Sequence, residues 1–305
     1  MTSLLILLLL FGLCAGIAWA AVPLPDPSTI RPVEVFRTND YSEGAVVDYE
    51  GYLYISHEQI ITRVSPDGQG TLWATASAPN GHRILPNGNH LVCDGDRHAV
   101  LHLDAHGNEI GVAASGTVDD LEIRLPNDLT LDPQGGFYFT DSIPETGAVY
   151  HVATDGKKTV VARNIDFANG IVLSANRQRL YCAESLQNRV LVIDLKAPGV
   201  PAGEPEVLVD LPANQEQPGT EWNQPDGMAF DAEGRLWIAH YGMKAVHVVD
   251  PSGQLLATYD GGNRLTSNLC FAGPRFDQVY VTGGEPGALF RLDVGVPGLR
   301  LLPPR

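Results

Sequence analysis

Basic residues are scarce in this chain: Lys and Arg number 20 against 36 Asp and Glu, a formal net charge of −16. Phosphate recognition depends on Lys and Arg, so the composition argues against a nucleic-acid partner. An acidic balance suits a solvated surface or a protein that holds a cation. Cysteine is rarer still. Of the 4 cysteines, Cys14 lies in an N-terminal apolar run, and Cys93, Cys182 and Cys270 stand far apart with no CxxC pair. That spacing excludes a thiolate metal site and makes no disulfide framework, which leaves three buried free thiols as the expectation. There is no GxSxG elbow, no HExxH, no GxGxxG and no phosphate loop. Serine-hydrolase and nucleotide-enzyme chemistry therefore have no support. Beyond residue 20 no window carries sustained helical periodicity, so the chain reads as all-β.

What is present is glycine (32), proline (22) and a repeat. From Asp226 the chain reads DGMAFDAEGRLWIAHY: an oxygen-bearing side chain, a short apolar strand, a polar turn and a second strand. The same build recurs from Glu43 (EGAVVDYEGYLYISH), Asn80 (NGHRILPNGNHLVCDG), Asn127 (NDLTLDPQGGFYFTDS), Asn169 (NGIVLSANRQRLYCAES) and Asn268 (NLCFAGPRFDQVYVTGG). Two further strands follow in most repeats. Four strands per repeat and six repeats predict a six-bladed β-propeller over 32–305. The sixth repeat lacks one strand, which the isolated Val33–Phe36 segment would supply to close the ring; Leu299–Leu302 is the rival for that place. Closure matters because it removes open sheet edges.

Residues 1–20 form an apolar run ending in Ala18-Trp19-Ala20, the pattern of a secretory signal peptide cleaved before Ala21. The expected location is secreted or periplasmic. Its n-region has no Lys or Arg, and a retained membrane anchor is the competing reading. Proline-rich residues 21–31 read as an extended linker. The longest spacing between leading residues runs from Asn169 to Asp226, with its excess in Lys196–Glu204 and Ala213–Gln224. The second insert precedes Asp226 directly, which suits either a lid or a tolerated insertion.

In a propeller the innermost strands line the central tunnel, so residues that lead them gather at its mouth. Glu43, Asn80, Asn127, Asn169, Asp226 and Asn268 would form one rim of two carboxylates and four carboxamides. Hard oxygens with few charges are what Ca²⁺ coordination uses, whereas zinc would draw His or Cys. Taken singly, Asn or Asp before Gly is ordinary turn chemistry, and Asn80-Gly81 and Asn169-Gly170 are the most turn-like. Turn chemistry does not account for Glu43, nor for six coincident positions.

These residues carry a resemblance. SEGAVVD at Ser42–Asp48, LPNDLTLDPQGGFYFTDS from Leu125, FANGIVLSANRQRLYCAES from Phe167, QPDGMAFDAEGRLWIAHYG from Gln224 and TSNLCFAGPRFDQVYVTGG near the C-terminus resemble the regucalcin/gluconolactonase family of calcium-dependent lactonases. The resemblance covers roughly Val33 to Asp293. It implies metal ligands at Glu43, Asn169 and Asp226, with Asn127 a further ligand or substrate contact. It gives the Asp226 position the general-base role and puts Asn80 and Asn268 in supporting or substrate-facing places. Many members carry an arginine two residues before the Asn127 position; here that residue is Leu125.

The expected function is calcium-dependent opening of a sugar or aliphatic lactone, with the carbonyl polarised by metal and water attack assisted by Asp226. A small lactone or ester is the expected partner. A non-enzymatic propeller with structural calcium and a phosphotriesterase on the same site are the alternatives. His82 and His240 are further candidates, as proton shuttles or substrate contacts. His90, His98, His102 and His106 read as surface residues.

Overall fold

The computed structural model describes residues 22–217 and 219–301; the expected leader lies outside them. Strands dominate, and the only helical turns among the described residues are the 3₁₀ segments Pro27–Thr29, Ser185–Gln187 and Thr220–Trp222.

Strands follow one another as antiparallel meanders. Ser42–Val47, Leu53–His57, Ile60–Val64 and Gly70–Thr75 make the first, and Pro79–Ile84, His90–Asp94, Ala99–Leu103 and Glu109–Ser115 the next. Pro126–Leu131, Phe137–Asp141, Gly147–Val152 and Lys158–Ile165 follow, then Ala168–Leu173, Arg179–Glu184, Arg189–Ala197 and Glu206–Asp210. Gln224–Phe230, Leu236–Tyr241, Ala245–Val249 and Leu255–Asp260 come next. The last run, Leu265–Ala272, Gln278–Gly284 and Ala288–Leu292, takes Val33–Arg37 as its antiparallel outer strand.

Burial explains why apolar residues occupy both faces of the second strands. His90–Asp94 and Phe137–Asp141 are buried at every residue, whereas the outermost Glu109–Ser115 and Glu206–Asp210 are largely exposed. A strand covered on both faces by neighbouring sheets has no polar face to alternate with. The cores lie between sheets: Leu91 and Cys93 pack with Leu129 and Phe139, and Ile171 and Cys182 with Tyr138 and Val149. Leu53 and Ile55 share a core with Ala272, Tyr280 and Leu289, so the first sheet packs against the last. Cys93 and Cys182 are buried free thiols, and Cys270 is half-buried and free.

Much of the acidity is used in turns. Asp48 accepts from the backbone N–H groups of Glu50 and Tyr52, both at 2.9 Å, and Asp104, Asp231 and Asp250 repeat the arrangement. Such Asx turns fix each hairpin locally.

One expectation changes, and one insert gains a structure. The segment read as a linker is docked: Val22, Leu24 and Ile30 pack on the core around Trp237, and the Tyr259 hydroxyl donates to the Pro25 carbonyl at 2.9 Å. The insert at Lys196–Glu204 is a hairpin extension, Val200–Pro201 pairing back on Leu195 and Ala197.

Candidate metal and catalytic site

Every first strand breaks register near its start. The irregularities fall at Glu43/Val46, Pro79/His82, Pro126/Leu129, Ala168/Ile171, Pro225/Met228 and Thr266/Leu269. A bulge at that point turns side chains out of the pleat and toward the axis. Asn80, Asn127, Asn169 and Asp226 each stand two residues ahead of the point where pairing resumes. Glu43 stands one residue earlier, and Gly44 takes the equivalent place at φ 60°.

Asn268 sits one residue later, in register with Asp128. Both accept at Oδ1 from the next residue's N–H at 2.8 Å, and both donate their own N–H to a threonine hydroxyl oxygen at 3.1 Å. Ser267 therefore holds the bulge position in that strand, with its hydroxyl turned to the Ser42 carbonyl at 2.6 Å. Asn268 does not line the cavity but contacts Glu43 from behind.

The glycine after a rim residue is not a turn residue. A Cβ on Gly170 would lie 2.0 Å from the Asp226 carbonyl oxygen, and one on Gly44 2.1 Å from that of Asn80. A Cβ on Gly81 would lie 2.5 Å from the Asn127 carbonyl oxygen, and one on Gly227 2.4 Å from Asn268 Cγ. First strands thus approach their neighbours backbone to backbone, and glycine is the residue that permits it.

The bulges surround a cavity of about 460 Å³ whose lining includes Tyr41, Glu43, Asn80, Asn127, Asn169, Gln224 and Asp226. Glu43 is 6% exposed and Asp226 4%. The Tyr41 hydroxyl donates to Glu43 Oε1 at 2.6 Å. Burial pushes the Glu43 carboxyl up to about 7 despite that bond, and the charge of Asp128 adds to the effect. Asp226 is driven well above the usual carboxylate range, by burial first and then by the negative charges of Glu43 and Asp128. Asn169 donates to Asp226 and lowers it in part.

Three buried oxygens of residues lining the cavity have no hydrogen-bond partner among the described residues: Glu43 Oε2, Asn80 Oδ1 and Asn169 Oδ1. Buried acceptors are almost always satisfied, so three unsatisfied ones around two strained carboxylates call for a positive partner. No Lys, Arg or His among the described residues lines the cavity. Among the described residues no three His, Cys, Asp or Glu side chains gather as a metal cluster, and the donor set is carboxylate plus carboxamide. That set fits a hard divalent cation such as Ca²⁺.

The opposite end of the first strands encloses about 230 Å³ lined mainly by aliphatic and aromatic groups such as Val47, Leu131, Leu173, Phe230 and Phe271, with Leu299–Leu301 across it. It has no converging set of oxygens.

Residues 41–285 match the model of the SMP-30/gluconolactonase/LRE-like region. The chain belongs to that family. It is 30% identical over 193 residues to pentonolactonase XacC of Haloferax volcanii, an alignment covering 56% of this chain and 63% of that protein, a little under two thirds of the relative's length. It is 29% identical over 276 residues to lactonase drp35 of Staphylococcus aureus strain MRSA252, covering 83% of both chains. The solved structure of a calcium-binding protein, regucalcin, from Agrobacterium tumefaciens is similar with a TM-score of 0.71 at 23% identity, covering 88% of this chain and 98% of that one. The fold is the propeller of these proteins.

Within this family member, His82 and His240 lie outside the cavity lining. His82 Nε2 meets His90 Nδ1 at 2.7 Å, with the Trp73 ring stacked on His82, and His240 Nδ1 meets His247 Nε2 at 2.9 Å. Burial lowers the pKa of all four. His90, expected at the surface, is only 3% exposed. Its strand is covered on both faces, so a polar residue there is enclosed with its partner.

Two functional neighbours escaped the sequence reading. Asp128 is fully buried beneath the rim, 3.7 Å from the Arg83 guanidinium and accepting from Ile171 N–H at 3.3 Å. The signal was available: Asn127 is followed by Asp where Glu43, Asn80, Asn169 and Asp226 are followed by Gly. Tyr41 carried no sequence signal, because its role depends on reaching Glu43 two residues on.

Proposed function

We propose that this protein is a divalent-metal-dependent lactonase, with Ca²⁺ the cation that its ligands suit best. The observation that carries the reading is the convergence of Glu43 and Asp226 with three unsatisfied buried oxygens in one cavity. The pentonolactonase and lactonase relatives support lactone chemistry, and the likeness to regucalcin, a calcium-binding protein, supports calcium. Glu43, Asn127, Asn169 and Asp226 would hold the cation. When bound, it would supply Lewis acidity toward the ester carbonyl and keep both carboxylates ionised.

Asp226 is the base. Its carboxylate takes a proton from a water molecule as the water oxygen attacks the lactone carbonyl carbon. The ring C–O bond then breaks, and the proton passes to the departing alkoxide, giving the hydroxy acid. Asn127 and Asn169 orient the ester without adding negative charge that would oppose the oxyanion. Tyr41 fixes one oxygen of Glu43 and leaves the other facing the cavity. Asn268 supports Glu43 from behind.

The architecture we propose is six four-stranded blades over 32–305, closed by Val33–Arg37. The pairing of that strand with Ala288–Leu292 and the core shared by the first and last sheets support it. Residues 1–20 would be an export leader removed before Ala21, placing the mature chain outside the cytoplasm; N-terminal sequencing of the exported protein tests this.

The functional test is a panel of lactones with the purified chain, before and after chelation and with metal restored. Turnover that survives complete chelation, or an Asp226→Asn variant that is correctly folded and fully active, would overturn the mechanism. The expected loss for Asp226→Asn is on the order of 10² to 10⁴ in kcat.

A further inference from the structure

The cavity has two tiers of opposite chemistry. Its floor is the set of oxygens just described. Its wall is apolar: Ala78, Leu125, Phe167 and Leu265 line it, and the rings of Tyr41 and Tyr241 meet edge-on with centroids 6.0 Å apart.

The wall is held open by its backbone. Leu125 donates its N–H to the Asp141 carboxylate and accepts from Ser142 N–H at 2.9 Å, yet 36% of the residue stays exposed. Its Cδ1 lies over Gly95, where an added Cβ would stand only 2.8 Å away. Phe167 sits at φ 66°, a left-handed conformation that is costly for a bulky side chain, and its carbonyl is tied to Ser185 N–H at 3.1 Å. Apolar side chains fixed in an open cavity await an apolar ligand group.

Among the described residues no Lys, Arg or His lines the wall. Arg124, beside Leu125, donates to Thr146 Oγ1 at 3.1 Å. Arg264, beside Leu265, pairs with Glu285 at 3.0 Å and lies 4.3 Å over the Trp222 ring. An anionic substituent would find no counter-charge there, and a row of hydroxyls would lose water without regaining hydrogen bonds.

We infer that the substrate is an uncharged lactone bearing an alkyl or aryl substituent, in preference to a polyhydroxylated or anionic lactone. This rests on the lactonase reading above. The floor takes the ester; the wall takes the substituent.

The test uses the full chain with Ca²⁺ and a series of six-membered lactones with alkyl chains of increasing length. A polyhydroxylated lactone and a carboxylate-bearing lactone complete the set. The expected result is kcat/KM rising about fourfold per added methylene over the first few, as burial of each methylene implies. The polyhydroxylated and anionic lactones should fall at least about 100-fold below the best alkyl lactone. A flat or falling series, or a polyhydroxylated or anionic lactone as the best substrate, overturns the inference while leaving the lactonase reading standing. Failure to open any lactone overturns both.

Leu125→Arg should flatten the chain-length series and raise activity on the carboxylate-bearing lactone about tenfold. Leu125→Ser, which adds no bulk or charge, should flatten the series without that gain. If both variants melt like the parent and keep its full chain-length dependence, the wall is not where the substituent rests and the inference is wrong.

Discussion

Glu43 offers the sharpest test of whether the site is built for a cation. Without one, its carboxyl is held near 7 against an ordinary value of 4.5. A carboxyl whose folded pKa is raised binds more protons in the fold than in the unfolded chain. Its stability contribution is therefore present below the ordinary value and lost as pH rises through the folded value. Over that window the loss comes to about 3 kcal/mol, or about 6 °C of melting temperature for a chain of this size.

The buried histidines act in the opposite sense. His90 and His247 are lowered to about 4 from 6.5, so they favour the fold at neutral pH and cost stability as pH falls below 6.5. At about pH 5 each costs roughly 2 kcal/mol. The histidine and carboxyl effects oppose one another in the wild type, so its raw pH profile decides nothing. The difference between wild type and Glu43→Gln does. In calorimetry of chelated protein, Glu43→Gln should gain on wild type by about 4 °C between about pH 5 and about pH 8. Calcium at about 100 times its Kd should restore roughly 2.7 kcal/mol to wild type at the higher pH and much less to the variant. Parallel pH profiles for the two proteins, or equal calcium stabilisation, would refute the reasoning.

Three further perturbations probe the same structure. Tyr41→Phe removes the hydroxyl that orients Glu43 and should weaken cation binding about 10-fold to 100-fold with little change in melting temperature, as calcium titration calorimetry would show. Asp128→Asn removes a negative charge that raises both Glu43 and Asp226; proton release on calcium binding should diminish near neutral pH, and an unchanged proton count would argue against the coupling. Gly170→Ala drives a methyl group into the Asp226 carbonyl oxygen and should cost about 1–3 kcal/mol together with most of the turnover. Gly203→Ala, where a Cβ meets nothing within 4 Å, is the control and should melt like the parent.

The sequence made the hairpins legible because each carries its own local instructions. Asp48, Asp104, Asp231 and Asp250 close their turns with their own side chains, and the apolar strands on either side follow the burial of the sheets. The rim was legible for a different reason. Glu43, Asn80, Asn127, Asn169 and Asp226 are polar where a strand should begin, and that conflict repeats at each blade. The bulge that turns them inward leaves no local signature, since it is a mismatch of count between two strands. For the same reason Asn268 passed as a rim member although its register is that of Asp128. Proximity across blades was hidden too: nothing near Tyr54, Trp73, His82 or His90 in sequence announces that their rings form one buried cluster.

The glycines connect these two levels. Read locally, Asn-Gly is a turn. Read in three dimensions, Gly44, Gly81 and Gly170 each face the backbone of the next rim residue, and Gly227 faces Asn268, at distances no Cβ allows. The feature that made the rim look like turn chemistry is thus what lets the first strands crowd together. Crowding brings two carboxylates and several carboxamides into one small volume, where each is more strained than it would be alone. Wider spacing would let water satisfy Glu43 Oε2, Asn80 Oδ1 and Asn169 Oδ1 separately and bring the carboxyl groups back toward ordinary values. If the proposed metal reading holds, cation affinity and backbone packing are one property of this fold, and a substitution that relaxes the glycine contacts should weaken metal binding even where no ligand is changed.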